Sequence, residues 1–408
     1  MKRVVITGIG AVTPLGNSIE LSWEKIIKGL SGIGFITRFD SSACKVKFAG
    51  ELKGFSPETF IPRKDILRLD PFIHYAVASS LMALEDSGIP QGELKRLRTA
   101  AIIGSSRGGL TGIEKALERY LIDNRPFSAY LMSSSTINMA ASYISILLKT
   151  RGPAIGISTA CSSGANAIGI ASQMIRNGEI DLAFAGGTEA PLCKLAVGGY
   201  DASGALSEMN HKPAEASRPF DRDRDGFVIS EGAGTLVLEE MEHAVKRGAN
   251  IYAELSGYGT SSDAFHLTKP DSDGEAIAIE RALKDARVSA DEVEYINAHA
   301  TSTVLGDRVE SDAIRKVFGN SIQDIRVSSC KSLLGHMLGA AGAVEAAVSA
   351  LTIKKGVITP TINLEHPDPH CGLNYVTSLT AEKIDVAVSN SFGFGGVNAV
   401  LVLRRFDP

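Results

Sequence analysis

The alternation of short apolar runs with Ala-rich and Leu-rich helical patterns most constrains the fold of this chain. Ten β-rich runs, most of them ending in glycine or another small residue, occur at Val4–Gly10, Ala100–Gly104, Ala154–Ser158, Leu182–Gly186, Thr235–Glu239, Glu254–Gly257, Glu294–Ala298, Arg326–Ser329, Val386–Ser389 and Ala399–Leu403. Most are continuously apolar, which is typical of strands that are buried on both faces. Helical patterns lie between them, at Pro71–Ser87, Ala165–Asn177, Gly274–Ala286 and Gly339–Lys354. The alternation predicts an α/β fold.

Two segments of the chain echo each other, which predicts a duplicated fold. Gly156–Gly164 and Arg326–Gly335 each run from a strand into a turn of small residues, and an Ala-rich helix follows each turn. We therefore expect one half to span residues 1–247 and the other to span residues 248–408. Two long polar segments, Ile33–Ile61 and Gly187–Gly226, have weak periodicity. We expect these two segments to form caps that serve a site or an interface.

Charge and cysteine content exclude several classes of protein. The 46 acidic and 42 basic residues give a net charge of −4, whereas a nucleic-acid-binding protein normally carries a basic excess. No run of about 18 apolar residues predicts a transmembrane helix, and polar and glycine residues interrupt the first apolar stretch of a would-be signal peptide. The five cysteines are odd in number and contain no CxxC pair, which argues against a disulfide framework and a zinc site. We expect a cytoplasmic protein without membrane or nucleic-acid partners.

One cysteine lies where a nucleophile is expected. Cys161 follows a predicted strand and precedes a predicted helix. The first-turn N–H groups and the dipole of a helix favour an anion, so this position favours the thiolate. A small buried core cysteine is the alternative. That ordinary role is expected for the other cysteines, which are Cys44, Cys193, Cys330 and Cys371.

Two histidines follow strand exits in the second half of the chain. His299 lies in Tyr295–Thr303, and His336 lies in Lys331–Gly339. An imidazole can act as a base or donate a hydrogen bond, and two imidazoles beside one thiolate can stabilise a developing oxyanion or enolate. Each histidine alone is more often structural. The combination with Cys161 predicts a catalytic site.

Two glycine-rich segments have different interpretations. Asn390–Asn398 joins two predicted strands, and its glycines allow either a tight hairpin or N–H groups that point at a ligand. Gly8–Thr13 has threonine where a dinucleotide fingerprint has its third glycine, and no acidic residue follows at the required distance. The sequence therefore predicts no nicotinamide site, and we expect neither a cofactor nor a catalytic metal.

Together these motifs resemble the β-ketoacyl-[acyl carrier protein] synthases of the type II elongating class, which are condensing enzymes with a thiolase-like fold. The resemblance spans the whole chain. Besides the nucleophile, histidine and terminal glycine segments, it includes Val5–Gly16, Ser217–Asp221, Arg224–Phe227, Pro360–Leu364 and His366–Pro369. It implies two βαβαβ-type halves in α-β-α-β-α layers with cap insertions, and an acyltransferase of fatty-acid biosynthesis.

The resemblance implies a role for each catalytic residue. Cys161 would carry the growing acyl chain delivered on carrier protein. His299 and His336 would hold the malonyl thioester carbonyl during decarboxylation and stabilise the enolate. That enolate would attack the acyl group and extend it by two carbons.

The resemblance also implies supporting residues. Lys331 would orient His336 and Glu345 through its ammonium group. The N–H groups of Cys161 and Phe394 would form an oxyanion hole, and the Phe394 ring would gate the acyl pocket. Phe392 is expected to support the same site.

A structural monovalent cation is a further implication of the resemblance. It would lie near Asn297, Glu345, Ser389 and Asn390. An alternative is that Glu345 is a buried partner of Lys331 alone.

The implied partners are acyl carrier protein, loaded with acyl or malonyl groups, and a second copy of the chain. Three basic residues match the family's docking patch, namely Arg63, Lys64 and Arg68. Leu67 and Met209 stand where arginine is usual, so the patch has fewer charges. We expect Lys212 to compensate, since a few positive charges can steer an acidic partner.

Other functions remain open on the sequence. A polyketide ketosynthase has a similar nucleophile segment. A non-catalytic chain-length partner keeps the same fold but lacks the nucleophile, so Cys161 argues against it. A thiolase uses a second cysteine as a base, a role that falls to histidines here, and a cysteine protease is the least compatible alternative.

Overall fold

The computed structural model describes residues 2–407, and strands and helices alternate along them. The strands are β1 (Val4–Val12), β2 (Ile33–Phe35), β3 (Phe48–Gly50), β4 (Thr99–Gly104), β5 (Ala154–Ile157), β6 (Leu182–Glu189), β7 (Gly232–Glu240), β8 (Ala253–Ser262), β9 (Tyr295–Asn297), β10 (Arg326–Ser328), β11 (Val357–Ile358), β12 (Thr380–Ala381), β13 (Val386–Gly393) and β14 (Val397–Arg404). The α-helices are α1 (Ile19–Ile27), α2 (Arg63–Ile66), α3 (Pro71–Ser87), α4 (Leu110–Asp123), α5 (Leu131–Ser135), α6 (Met139–Leu148), α7 (Ser163–Arg176), α8 (Lys194–Ala202), α9 (Met241–Lys246), α10 (Ser272–Ala286), α11 (Val304–Phe318), α12 (Lys331–Leu334) and α13 (Ala341–Lys355).

The large sheet shows the duplication that the sequence predicts. Its strand order is β10-β9-β13-β14-β8-β1-β7-β6-β4-β5, and these ten strands are the ones that contain the predicted apolar runs. Only two residue pairs, Val5 with Glu254 and Ile6 with Ala253, join β1 to β8 at its centre. On each side of this junction lie five strands in corresponding order, so β5 and β10 form the two opposite edges. The predicted duplicated α/β fold is therefore confirmed.

Helices α7 and α13 form a layer between the two halves of the sheet. Helix α7 packs on β4 and β6 of one half and on β8 and β14 of the other, while α13 packs on β7 and β13. Residues Ala341–Ile353 of α13 are all buried, as expected for a helix without a polar face. Helices α3 and α6 cover one outer face and α10 covers the other. The predicted α-β-α-β-α layering is confirmed.

A close backbone approach holds this middle layer together. A Cβ atom on Gly164 of α7 would lie 2.8 Å from the carbonyl oxygen of Gly339, which immediately precedes α13. Glycine at this position lets the two chain segments that follow β5 and β10 meet. This contact brings the Cys161 turn of one half next to the His336 segment of the other.

The two segments that are expected to form caps match their predicted bounds to different degrees. Ile33–Ile61 holds the small β2–β3 sheet and otherwise lacks long elements. The second cap begins later than predicted, because Gly187–Glu189 continue β6 before α8 begins. Between the halves, α9 ends at Lys246 and β8 begins at Ala253, and the domain boundary at residue 247 stays a prediction. No helix in residues 2–407 is long and apolar enough to cross a membrane.

Candidate active site

Cys161 lies in a rigid turn between β5 and α7. Ala160 adopts a positive φ of 49°, an uncommon conformation for a residue with a side chain. The Ser163 hydroxyl accepts a hydrogen bond from the N–H of Thr159 at 2.9 Å and donates one to the carbonyl of Ala160 at 2.6 Å. Ser162 donates from its hydroxyl to the Thr159 carbonyl at 2.7 Å. These bonds hold Cys161 directly before the first turn of α7.

His299 and His336 come from separate loops of the second half and meet at Cys161. The backbone N–H of His299 donates to Glu310 Oε1 at 2.8 Å, and the backbone N–H of His336 donates to the Val228 carbonyl at 2.7 Å. The two imidazole rings are 5.3 Å apart between centroids and nearly perpendicular. Both rings and Cys161 line one cavity of about 310 Å³, which we call the catalytic cavity. The structure therefore brings the three predicted catalytic residues together.

Lys331 contacts a different histidine from the one that the sequence reading assigns. Its ammonium group lies 3.4 Å from Nδ1 of His299 and forms an ion pair with Glu345. Within residues 2–407, His336 Nδ1 has no hydrogen-bond partner. The prediction that Lys331 orients His336 is therefore wrong, because the lysine side chain reaches across to the β9 loop. Its predicted contact with Glu345 is present.

The Lys331 contact fixes the tautomer of His299. An ammonium group only donates hydrogen bonds, so Nδ1 of His299 accepts and the ring proton lies on Nε2. Burial and the charge of Lys331 lower the pKa values of His299 and His336 well below the ordinary value. Both rings are therefore neutral at pH 7. A neutral imidazole can donate a hydrogen bond from its single ring N–H to a developing anion.

Burial opposes the thiolate at Cys161. It raises the pKa of the Cys161 thiol to about 11, while Lys331 and the N–H of Phe394 lower it in part. The N-terminus of α7 favours the thiolate, as the sequence indicates, but desolvation of the buried sulfur is the larger effect and disfavours it. The thiol loses its proton as it reacts.

The loop between β13 and β14 supplies the N–H of Phe394 to the Cys161 sulfur. This loop is a tight hairpin, because Gly393 pairs with Val397. A Cβ on Gly393 would lie 2.9 Å from the Thr159 carbonyl and 3.2 Å from the N–H nitrogen of Cys161. The glycines thus form the tight hairpin and allow its close approach to Cys161, whereas N–H groups that point at a ligand stay a prediction.

Two phenylalanines, one at the end of β13 and one in the loop that follows it, line the catalytic cavity. The Phe392 side chain is buried, with its ring centroid 5.9 Å from that of His299. Phe394 is 37% exposed and lines both the catalytic cavity and a neighbouring cavity. Phe392 therefore packs behind the histidine, whereas Phe394 separates two spaces.

Glu310 on α11 is a supporting residue that the sequence analysis missed. Its carboxylate accepts the N–H groups of His299 and Ala300 and the side-chain amide of Asn390 at 2.6–3.0 Å. Burial raises its pKa to about 7. Glu310 lies three residues after the equally buried Asp307 on α11, and this burial follows from packing rather than from a sequence motif.

Four buried oxygen atoms near the strands β9 and β13 have no hydrogen-bond partner among residues 2–407. They are Asn297 Oδ1, Glu345 Oε2, Ser389 Oγ and Asn390 Oδ1. Ser389 stands opposite Asn297 in the β13–β9 register, so these groups belong to neighbouring positions. Uncharged and carboxylate oxygens of this kind suit a hard monovalent cation, so the residues fit the structural cation that the resemblance implies. Its presence stays a prediction.

The four basic residues predicted to dock carrier protein are exposed. Arg63 and Lys64 begin α2, and Arg68 follows it. Arg68 is paired with Asp65 at 3.6 Å, and Lys212 is paired with Glu215 at 2.9 Å. The ion pair with Glu215 reduces the positive charge that Lys212 can offer in place of the missing arginines.

Comparison with known proteins supports one family over the full length. The model for the Beta-ketoacyl synthase N-terminal domain matches residues 1–244, and the model for its C-terminal domain matches residues 252–365. A protein from Coxiella burnetii named 3-oxoacyl-[acyl-carrier-protein] synthase 2 is 46% identical over 411 residues, covering 100% of this chain and 99% of the relative.

Two solved structures share the fold. The ishigamide ketosynthase/chain length factor has a TM-score of 0.94 at 36% identity, with complete coverage of both chains. A type II polyketide acyl-carrier protein in complex with its ketosynthase, bound to the hexaketide, has a TM-score of 0.92 at 35% identity, again with complete coverage.

Proposed function

The chain belongs to the β-ketoacyl synthase family, and we propose that it is a 3-oxoacyl-[acyl-carrier-protein] synthase in which Cys161, His299 and His336 perform the reaction. It is an acyltransferase that condenses malonyl-carrier protein with an acyl chain in fatty-acid biosynthesis. The observation that carries the residue assignment is the meeting of one thiol and two neutral imidazoles in the catalytic cavity.

The first half-reaction loads the acyl chain. The Cys161 sulfur attacks the carbonyl of the acyl thioester and loses its proton, and the carrier thiol leaves with a proton. The N–H groups of Cys161 and Phe394 stabilise the oxyanion that forms. Proximity of Gly393 to Cys161 lets the two N–H groups converge.

The second half-reaction forms the carbon–carbon bond. The malonyl carboxylate leaves as carbon dioxide, and its electron pair enters the thioester as an enolate. Nε2–H of His299 and the imidazole of His336 donate hydrogen bonds to the enolate oxygen. The enolate carbon attacks the acyl carbonyl, and the bond to Cys161 breaks as the sulfur leaves as a thiolate that takes up a proton from solvent. A 3-oxoacyl product remains on the carrier.

Fatty-acid elongation is favoured over polyketide synthesis by degree of similarity. The Coxiella burnetii synthase is 46% identical, whereas the neighbour from the type II polyketide complex is 35% identical. The intact nucleophile site argues against a non-catalytic chain-length partner.

We also propose carrier protein and a second copy of the chain as partners, with the cytoplasm as the compartment. The solved ketosynthase that is bound to its acyl-carrier protein supports the first partner. An unpaired sheet edge supports the second: within residues 2–407, β5 pairs only with β4 and is partly exposed. Exposed apolar side chains lie on the neighbouring helices, among them Leu117, Leu121, Met132 and Ile146.

Intact-protein mass spectrometry tests the activity. The protein is incubated with acyl-carrier proteins of graded chain length and then with malonyl-carrier protein, and adducts and products are followed. We expect an acyl adduct that maps to Cys161 and discharges into a 3-oxoacyl product. Cys161→Ala is the control. The absence of an adduct from every donor would contradict the proposal.

A further inference from the structure

A second cavity adjoins the catalytic cavity on the far side of Phe394. It has a volume of about 310 Å³, and its lining is Arg107, Leu110, Leu195, Ala196, Gly199, Tyr200, Ser203 and Phe394. Tyr200, Ser203 and Phe394 line both cavities. An acyl chain on Cys161 that passes the Phe394 ring therefore enters this space, which we call the acyl cavity.

The acyl cavity contains a cation without an acidic partner. Arg107 Nε and Nη2 donate to the Tyr200 hydroxyl at 3.0 Å and 2.8 Å, and the guanidinium carbon lies 5.3 Å from the Tyr200 ring centroid. Within residues 2–407, no carboxylate forms an ion pair with this guanidinium. Glu189, the nearby acid, accepts the backbone N–H groups of Ser106, Arg107 and Gly339 instead. The Arg107 charge remains available to a ligand.

The walls and the polar pair of the acyl cavity differ in chemistry. Leu110, Leu195 and Phe394 are suited to methylene or aryl groups. A guanidinium has five N–H donors, and two of them are used on Tyr200. Because the Tyr200 oxygen accepts both bonds, its own proton is free to be donated into the cavity. A methyl terminus would cover these donors without satisfying them, whereas an oxygen acceptor would form charge-assisted hydrogen bonds.

We propose that Arg107 and Tyr200 are specificity-determining residues that select acyl chains with an oxygen acceptor at the distal end, most strongly a terminal carboxylate. This inference rests on the proposed function, because it names the substrate class of the same site. It leaves the chemistry at Cys161 unchanged. The apolar walls hold the body of the chain, and the Arg107–Tyr200 pair binds its end.

Two carrier-protein donors of similar length test the inference. Hexanedioyl-carrier protein ends in a carboxylate, and heptanoyl-carrier protein ends in a methyl group. The rate of Cys161 acylation, expressed as kcat/KM, is measured for both by mass spectrometry. We expect the wild-type protein to prefer hexanedioyl by about tenfold or more, the effect of a well-placed polar contact.

Variants separate the contributions of charge and hydroxyl. Arg107→Leu is expected to lose about tenfold or more with hexanedioyl and to keep or gain rate with heptanoyl. Arg107→Lys retains part of the preference, and Tyr200→Phe loses less than Arg107→Leu. Arg96→Leu removes an exposed arginine elsewhere and serves as the matched control. Its donor preference should equal that of the wild type.

Several outcomes would overturn the inference. One is acylation of the wild-type protein by heptanoyl-carrier protein at a rate equal to or above that by hexanedioyl-carrier protein. This result needs no variant, so it is decisive even where a variant fails to fold. Another is an Arg107→Leu variant that slows acylation by both donors alike. A third is an Arg107→Leu variant that changes the oligomeric state but not the donor preference, because Arg107 is exposed in the single chain and could then serve an interface between chains. If no donor acylates Cys161, the proposed function itself fails. Acylation by alkyl donors alone contradicts only the inference.

Discussion

At the scale of single residues, desolvation and charge at Cys161 oppose each other. Burial raises the pKa of its thiol to about 11, and Lys331 is the largest influence in the opposite direction. At pH 7 the thiolate is therefore a minor species, although the nearby α7 N-terminus favours it.

A pH profile of Cys161 alkylation checks this balance. Since the thiol pKa is about 11, the alkylation rate should rise tenfold per pH unit from pH 7 to 9 without a plateau. Lys331→Met removes the cation that lowers this pKa, so the alkylation rate at pH 8 should be lower in this variant than in the wild type. Iodoacetamide labelling with peptide mapping distinguishes Cys161 from half-buried Cys44. A plateau below pH 8 would contradict the prediction.

The buried Lys331–Glu345 pair combines a structural and a positioning role. Lys331→Met leaves Glu345 as a buried unpaired acid, which should cost roughly 3–5 kcal/mol of unfolding free energy. The double variant Lys331→Met/Glu345→Leu should recover most of that stability in denaturant titrations. Malonyl decarboxylation should stay low in both, because Nδ1 of His299 has lost its donor. Recovery of decarboxylation in the double variant would show that the pair is only structural.

At the scale of elements, the β13–β14 hairpin positions one of the two proposed oxyanion donors. Gly393→Ala would place a methyl group 2.9 Å from the Thr159 carbonyl, a contact that forces the hairpin away from the Cys161 turn. We expect kcat/KM for acylation to fall about 100-fold to 1000-fold, as for the loss of an oxyanion donor. Gly92→Ala, with open space around it, is the control. Single-turnover acylation within twofold of wild type would exclude this role.

The exposed edge of the large sheet predicts self-association. Strand β5 has one free side, and Met132 on α5 and Ile146 on α6 are 68% and 63% exposed. We expect a dimer by light scattering, and a monomer for Met132→Asp/Ile146→Asp, because an aspartate is costly to bury. Val245→Asp, at a 51% exposed position on α9, should remain dimeric. A wild-type monomer would contradict the proposal.

At the scale of the whole molecule, the ten strands of the large sheet and the long helices α3, α7, α10 and α13 were predictable because local signals agree, whereas the long helices α4 and α11 were not predicted. Helix α3 spans the predicted Pro71–Ser87, with the Asp70 side chain capping its start and Gly88 at φ 66° ending it. Continuous apolar runs likewise marked the ten strands of the large sheet. The duplication accounts for the shared order of the five strands in each half.

Contacts between distant segments were not predictable from local signals. The direction of Lys331 toward His299 depends on how the two loops are stacked across the middle layer. Glu310 and the Arg107–Tyr200 pair belong to no motif, because their role arises only when α11, the segment between β4 and α4, and α8 pack around the site. Desolvation at Cys161 depends on the same packing.

Carrier-protein docking is also a property of the whole molecule, since it depends on a surface field. Leu67 is 88% exposed between Lys64 and Arg68, at a position where the resemblance leads us to expect arginine. Leu67→Arg should lower the KM for acyl-carrier protein by about threefold to tenfold at low salt with kcat unchanged, because charges at the rim of an interface act on encounter. The gain should shrink as salt screens the added charge. Leu379→Arg, an exposed leucine elsewhere, should leave KM unchanged. An identical KM for Leu67→Arg and wild type at low salt would place carrier docking on another face.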